Sequence, residues 1–379
     1  MVSDLRVYVL IGLFIMVCIS LMIFNFVIIR YSRGKNTVSK GKVKRWKAVL
    51  RNQTTMIHGV EASVSKHEKL LLKKLPNAEN LLVYSQALQY LKNDFPEAYD
   101  DYVHKRHATF QKLARIYSRK PRIERTCYAD FVYTFPQVAG DTYGQLVEIL
   151  ISYMDDSSIY CRANVLSALC SIGSVQGVVN ALRIMNEQSL FMHKNLLTRE
   201  LLRFKGDKEV LARYLWNERR QWHDNILVPV IQFITQFTEC QYREVLFPVL
   251  QDASVSAEVR NAIIRYYGKH KYEPVRPILI DFIVNPPDIN LAIRAAIALS
   301  LYPAADTVTA LKNALLSPNW HVRYNASSTL VEWGEKADLL EVLQSESIYK
   351  KEIVEYMLDL ESALQNVNLQ KEREGEDVI

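Results

Sequence analysis

Glycine and proline are scarce in this chain, 12 of each in 379 residues, and no low-complexity tract is present. Long disorder is thereby excluded outside the ends, because 49% hydrophobic residues supply a core and 23% charged residues a solvated surface. Cysteine is sparse as well. Cys18 lies in an apolar run, while Cys127, Cys161, Cys170 and Cys240 occur singly, without the spacing of metal ligands. That usage fits a reducing compartment better than a disulfide framework, although the four scattered thiols could still pair in the fold. A Walker-type or dinucleotide Gly-rich loop, a G-x-S-x-G elbow and a Cys-x-x-Cys pair are all missing. No stretch from residue 54 to 134 alternates polar and apolar residues as a half-buried strand does.

Two local absences matter more. Residues 7–29 contain no formal charge, and residues 30–51 contain no acidic residue. The first stretch, 23 residues long, reaches roughly 34 Å as a helix at ~1.5 Å per residue, enough for a hydrocarbon core of about 30 Å. It is too long for a cleaved export signal and ends without an A-x-A site, so it reads as a retained transmembrane helix. The second stretch carries Arg30, Arg33, Lys35, Lys40, Lys42, Lys44, Arg45, Lys47 and Arg51. Removing these from the net charge of +6 leaves the rest slightly acidic, so the basicity belongs to the membrane junction and to anionic lipid headgroups. A nucleic-acid partner is not expected, because no basic excess runs along the remainder. The positive-inside bias predicts residues 1–6 outside and residues 30–379 in the cytoplasm. In such a domain the acceptor patterns Asn52-Gln53-Thr54 and Asn325-Ala326-Ser327 go unused.

Beyond a basic linker over 30–53, with Gly34 and Gly41 as breakers, the patterning is helical. Thr54–Leu75, Glu79–Asn93, Pro96–Lys120 and Ile123–Thr134 read as helices, with Pro136 to Gly140 as a break. From about Asp141 the chain repeats itself. CRANVLSALCSIG (Cys161–Gly173) aligns with VRYNASSTLVEWG (Val322–Gly334), sharing Arg, Asn, Ser, Leu and Gly at the same offsets, and Glu258–Gly268 and Ala292–Pro303 open in the same aliphatic-Arg manner. Arg260, Arg294 and Arg323 follow one another at intervals of 34 and 29 residues, and Arg162 precedes Arg260 by 98, about three periods. The helices Gly177–Glu187, Phe191–Phe204, Glu209–Glu218 and Asn225–Phe237 fill that gap. Two helices per period of this length mark an α-solenoid, whose units bury their faces only by stacking.

These residues resemble the HEAT-repeat family, in which an Asp at the turn precedes by six residues an Arg opening the second helix. Asp156 with Arg162 and Asp288 with Arg294 match; Asp252 with Arg260 is stretched by two, and Ser317 replaces the Asp before Arg323. The expected fold is therefore all-α: an α-solenoid of HEAT-like helix pairs preceded by an N-terminal transmembrane helix. Residues 54–140 form the N-terminal part of the solenoid, 141–345 the HEAT-like repeats, 346–369 a capping helix and 370–379 a charged tail. Asp156, Arg162, Asp252, Arg260, Asp288, Arg294 and Arg323 are expected to be scaffold residues, each Asp accepting from helix-opening N–H groups and each Arg linking to a turn.

His104 and His107, three apart on a predicted helix beside Asp100 and Asp101, are the sole metal-ligand candidates, and a solvated helix face is the plainer reading. No catalytic residue and no cofactor is expected. Trp216, Trp222, Trp320 and Trp333 fit core or inter-repeat packing. The reading is a membrane-anchored scaffold for a protein partner at the cytoplasmic membrane face. The layout is similar to anchored HEAT-repeat proteins that accompany membrane glycosyltransferases, which implies such a partner. The alternatives are a HEAT-like enzyme or enzyme subunit, and an anionic-lipid-binding regulator.

Overall fold

The computed structural model describes residue 16 and residues 40–54, 61–141, 144–154, 158–237, 240–333 and 336–376. Every regular element among them is a helix. Apart from Met16, the stretch 7–29 lies outside the described residues, as do Arg30, Arg33, Lys35 and Asp156; among the described helices none is long and apolar enough to cross a membrane.

The chain divides into two compact units, residues 1–181 and 182–379. The first contains α1 (residues 40–54), α2 (Glu61–Lys74), α3 (Ala78–Asp94), α4 (Pro96–His104), α5 (His107–Ser118), α6 (Arg122–Thr134), α7 (Gln145–Ser152) and α8 (Ile159–Ile172). The division falls within α9 (Val175–Glu187). The second unit continues with α10 (Lys194–Leu202), α11 (Lys208–Asn217), α12 (Asp224–Phe237), α13 (Arg243–Gln251), α14 (Ala257–Tyr267), α15 (Arg276–Val284) and α16 (Ile289–Ala298). It closes with α17 (Ala305–Ala314), α18 (Trp320–Trp333), α19 (Lys336–Leu343) and α20 (Ile348–Glu376).

Within the second unit the even-numbered helices pack on one another in succession from α10 to α20, and α15 packs on α17. Within the first, α3, α6 and α8 form one such row and α2, α5 and α7 another. Each unit is thus a solenoid-like stack, and the stacking of helix pairs begins well upstream of residue 141.

Local sequence sets the helix boundaries. Asn77, Ser158, Asp207, Ser256 and Asp288 cap α3, α8, α11, α14 and α16, each side chain accepting from backbone N–H groups of the first turn. Gly173 ends α8 in the left-handed region (φ 80°), its N–H returning to the carbonyls of Leu169 and Cys170.

The stacks are held by more than apolar burial. At or just beyond the end of one even-numbered helix, a side chain donates to a carbonyl at or just beyond the end of the preceding one: Ser171 to Tyr133 (3.0 Å), Tyr302 to Tyr267 (3.0 Å) and Trp333 to Ser300 (3.1 Å). His270 Nε2 meets the Thr235 carbonyl at 3.0 Å in the same manner. On the odd side, Tyr117 donates to Leu75 (2.7 Å) and Tyr153 to Ala114 (2.6 Å). Helix ends carry carbonyls without intrahelical partners, and each of these side chains satisfies one of them. Tyrosine suits the task because its ring fills the core while its hydroxyl reaches the carbonyl. Nine of the largest fully buried side chains are tyrosines, from Tyr84 to Tyr302.

Three expectations are corrected. Pro96–Lys120 is two helices, broken at Lys105–Arg106 although neither Gly nor Pro stands there. The cause is tertiary: Arg106 is buried, its guanidinium lies 4.3 Å from the centre of the Tyr102 ring, and it donates to Gln53 Oε1 at 3.0 Å. The second is the basic linker, whose residues 40–53 belong to helix α1. Leu50 is buried, Trp46 meets Tyr84 edge-on at 5.2 Å, Lys47 sits 3.7 Å from the centre of the Tyr90 ring, and Lys42 pairs with Glu79 at 3.0 Å. Gly41 is carried inside this helix because packing outweighs its ~1 kcal/mol propensity cost. The third is the tail. Residues 370–376 extend α20, since Gln, Lys, Glu and Arg prolong a helix at little cost once it is nucleated.

Candidate functional site

In the first unit a cleft of about 640 Å³ is lined by Asp100, Asp101, His104, His107, Gln137, Gly140 and their neighbours. His104 ends α4 and His107 begins α5, so the break between the helices brings the two rings edge-to-face, 5.1 Å apart. His107 Nε2 lies 3.1 Å from the Gln137 carbonyl, which can only accept, so its proton sits on Nε2 and Nδ1 carries the lone pair. Burial, and then the neighbouring His104, hold the His107 pKa below the ordinary imidazole value, against the opposing effect of the Gln137 bond. Gly140 (φ 75°) closes the cleft, and a Cβ there would lie 2.6 Å from His107 Nδ1. Asp101 is paired with Lys105 at 2.6 Å. Among the described residues no three His, Cys, Asp or Glu side chains gather as metal ligands.

The Asp and Arg residues of the repeat take different roles. Arg162 is buried on α8. Asp288 caps α16 through Asn290 N (2.8 Å), whereas Asp252 accepts from Ser254 in its own turn and leaves the capping of α14 to Ser256. Arg260 donates to the Leu250 carbonyl (3.1 Å) and Arg323 to the Ser317 carbonyl (2.7 Å), each bracing the turn of its own helix pair. Asn319, not Ser317, caps α18 by accepting from His321 and Val322. Arg294 instead reaches back one unit, Nε donating to Asn261 Oδ1 at 3.1 Å.

Register explains the split. Arg162, Arg260 and Arg323 each follow their cap (Ser158, Ser256, Asn319) by four residues, whereas Arg294 follows Asp288 by six. Two extra residues rotate a side chain by about 200° around a helix of 3.6 residues per turn. Arg294 therefore lies on the opposite face, and there it lines a second cavity.

That cavity, about 460 Å³, lies within the second unit. It takes Lys194 and Asn195 from α10, Val228 and Gln232 from α12, Glu258, Asn261, Ala262 and Arg265 from α14, and Arg294 from α16. Residues 258, 261, 262 and 265 are one stripe of a helix, as are 228 and 232. Lys194 reaches past α12 to pair with Glu258 of α14, and Thr198 donates to Gln232 Oε1 at 2.7 Å. Phe191, 64% exposed, forms the rim, and His193 Nδ1 accepts from Asn195 N. Arg265 is exposed and makes no hydrogen bond or ion pair among the described residues. Burial, and then the charge of Arg265, lower the Arg294 pKa. Nothing in the sequence pointed to Arg265 or Phe191: the stripe comes from four helices, and only stacking brings it together.

The tryptophans are spread differently. Trp216 and Trp222 are buried, Trp222 donating to the Leu215 carbonyl at 2.8 Å. Trp320 is 46% exposed and meets Tyr356 of α20 edge-on. Among the described residues Cys127, Cys161, Cys170 and Cys240 form no disulfide.

No family model matches the chain, and neither curated proteins nor solved structures yield a match.

Proposed function

We propose that the chain is a single-pass membrane protein whose HEAT-like α-solenoid binds a protein partner at the cytoplasmic membrane face. The observation that carries this reading is the cavity over α10, α12, α14 and α16, an exposed concave surface made by the regular stacking of helix pairs. Stacked repeats supply such surfaces as a by-product of burying their cores. Residues 7–29 act as the anchor, and the tether raises the solenoid's effective concentration near a membrane partner, so modest affinity suffices. A membrane glycosyltransferase is the partner class that the HEAT-like layout suggests. Lys40, Lys44, Arg45 and Arg51 are exposed on α1. Each adds roughly 1 kcal/mol of attraction to an anionic leaflet.

Crosslinking and mass spectrometry of the full chain in native membranes test the reading. Crosslinks from α10–α16 to one stoichiometric membrane protein are expected. Recovery of intrachain crosslinks alone overturns it. A reporter fused to the C-terminus should be cytoplasmic, and an external C-terminus overturns the orientation.

A further inference from the structure

The second-unit cavity has a charge pattern that narrows what it can hold. Its lining carries Lys194, Arg265 and Arg294 against a single carboxylate, Glu258, which Lys194 already engages. The two arginines come from successive even-numbered helices, both line the cavity, and the charge of Arg265 is felt at Arg294. Their mutual repulsion is relieved within the described residues by no acid. Asn261 fixes Arg294 through Nε, and among the described residues both terminal guanidinium nitrogens make no hydrogen bond. The remaining polar lining, from Asn195, Gln232 and His193, adds amide and imidazole groups able to donate. Guanidinium pairs recognise planar oxyanions with two parallel N–H···O bonds, and carboxylate is the planar anion that proteins carry in quantity.

Size and shape separate a peptide from a small ion. The lining spans four helices, and at ~8–10 Å between neighbouring axes its length is on the order of 25 Å. An extended segment of about seven or eight residues at ~3.3 Å each covers that distance, whereas a phosphate covers only the arginine end. Phe191, which precedes α10 at the end of the lining away from Arg294, is 64% exposed and offers an apolar contact that a free ion has no use for.

We propose that this cavity binds an acidic peptide segment of a protein partner, with Asp or Glu carboxylates on Arg265 and Arg294 and an apolar residue against Phe191. This rests on the adaptor reading and names its ligand chemistry. Arg265 supplies the free charge, and Arg294, held by Asn261, supplies the fixed one.

The full chain in detergent is titrated by fluorescence anisotropy against a labelled Glu-Glu-Leu-Glu-Glu-Leu peptide and its Lys-Lys-Leu counterpart. Acidic-peptide binding is expected, weakening on going from about 50 to 300 mM salt. Arg265→Ala should weaken it at least about tenfold and Arg265→Glu abolish it, both with unchanged thermal unfolding because the residue is exposed and unpaired. Equal binding of the Lys peptide overturns the proposal, as does an Arg265→Ala affinity within about twofold of wild type. Complete displacement by inorganic phosphate at about 10 mM would reassign the site to a small anion. If membrane crosslinking finds a partner while Arg265→Glu leaves its yield unchanged, the cavity assignment fails and the adaptor reading stands. If no partner is found, the adaptor reading itself fails.

Discussion

Replacing Tyr302 by Phe isolates one rung of the inter-unit bonding. Tyr302 is fully buried; its hydroxyl donates to the Tyr267 carbonyl of α14 at 3.0 Å and accepts from the Tyr272 backbone N–H at 3.1 Å. Burial pushes this phenol up to about 12, so it remains a donor throughout the neutral range. Phenylalanine keeps the ring and its packing, so no cavity contribution enters. The Tyr267 carbonyl is left unpaired where water is excluded, which costs about 1–3 kcal/mol, while the half-buried Tyr272 N–H can recover a water and loses about 0.5–1 kcal/mol. A total of about 1.5–4 kcal/mol corresponds to roughly 3–16 °C in the melting of a unit of this size. Thermal unfolding followed by far-UV circular dichroism on the full chain in detergent reads it. Tyr349→Phe is the control, because Tyr349 is 69% exposed and makes no hydrogen bond among the described residues. If Tyr302→Phe melts within about 1 °C of wild type, or no lower than the control, the carbonyl-capping argument is wrong.

Three further outcomes are expected. His67 is 4% exposed, hydrogen-bonded to Tyr102 at 2.8 Å, and its pKa is lowered to about 4, first by burial and then by Arg106. The unfolded chain therefore takes up a proton between the ordinary imidazole value and pH 4 that the folded chain refuses. Stability is full above pH 6.5 and falls below it, by roughly 2 kcal/mol at pH 5; the urea midpoint should show that fall, and His67→Gln should flatten it. Gly140→Ala forces a Cβ to 2.6 Å from His107 Nδ1 at φ 75°, so a loss of about 2 kcal/mol is expected, and an unchanged denaturation midpoint contradicts it. Asn319→Ala removes the acceptor of two N–H groups at the start of α18 and should cost about 1 kcal/mol by chemical denaturation, more than Ser317→Ala.

How much of this was legible in the sequence follows from the range of each signal. The helices, their capping and breaking residues, and the periodicity from Asp141 are local and were readable. The break at Lys105–Arg106 was not, because it depends on Arg106, lying over the Tyr102 ring, reaching Gln53, 53 residues away. The helices of the solenoid's N-terminal part over 54–140 were readable, but their inter-unit bonds from Tyr117 and Tyr153 were not, because these carry no aliphatic-Arg signature.

The most instructive case is Arg294. Counted from the preceding Asp, it aligns with Arg162, six residues on in both places, and by that spacing is the same rung of the same ladder. Counted from the residue that caps the helix, it is two positions out of step, since Ser158 and not residue 156 caps α8 while Asp288 itself caps α16. A helix measures rotation from its first turn, so the cap and not the Asp sets which way the Arg points. The two-residue offset carries Arg294 off the intra-pair turn, where Arg260 and Arg323 sit, and onto the even-helix face beside Arg265. A residue that spacing marks as scaffold thus keeps a scaffold bond, to Asn261, and gains a place in a cavity wall. Its two contributions are separable: Arg294→Lys keeps the charge in the cavity but loses the Nε bond, so it should lower thermal stability more than Arg265→Ala does. Equal melting of the two variants would mean that the Asn261 bond holds nothing in place.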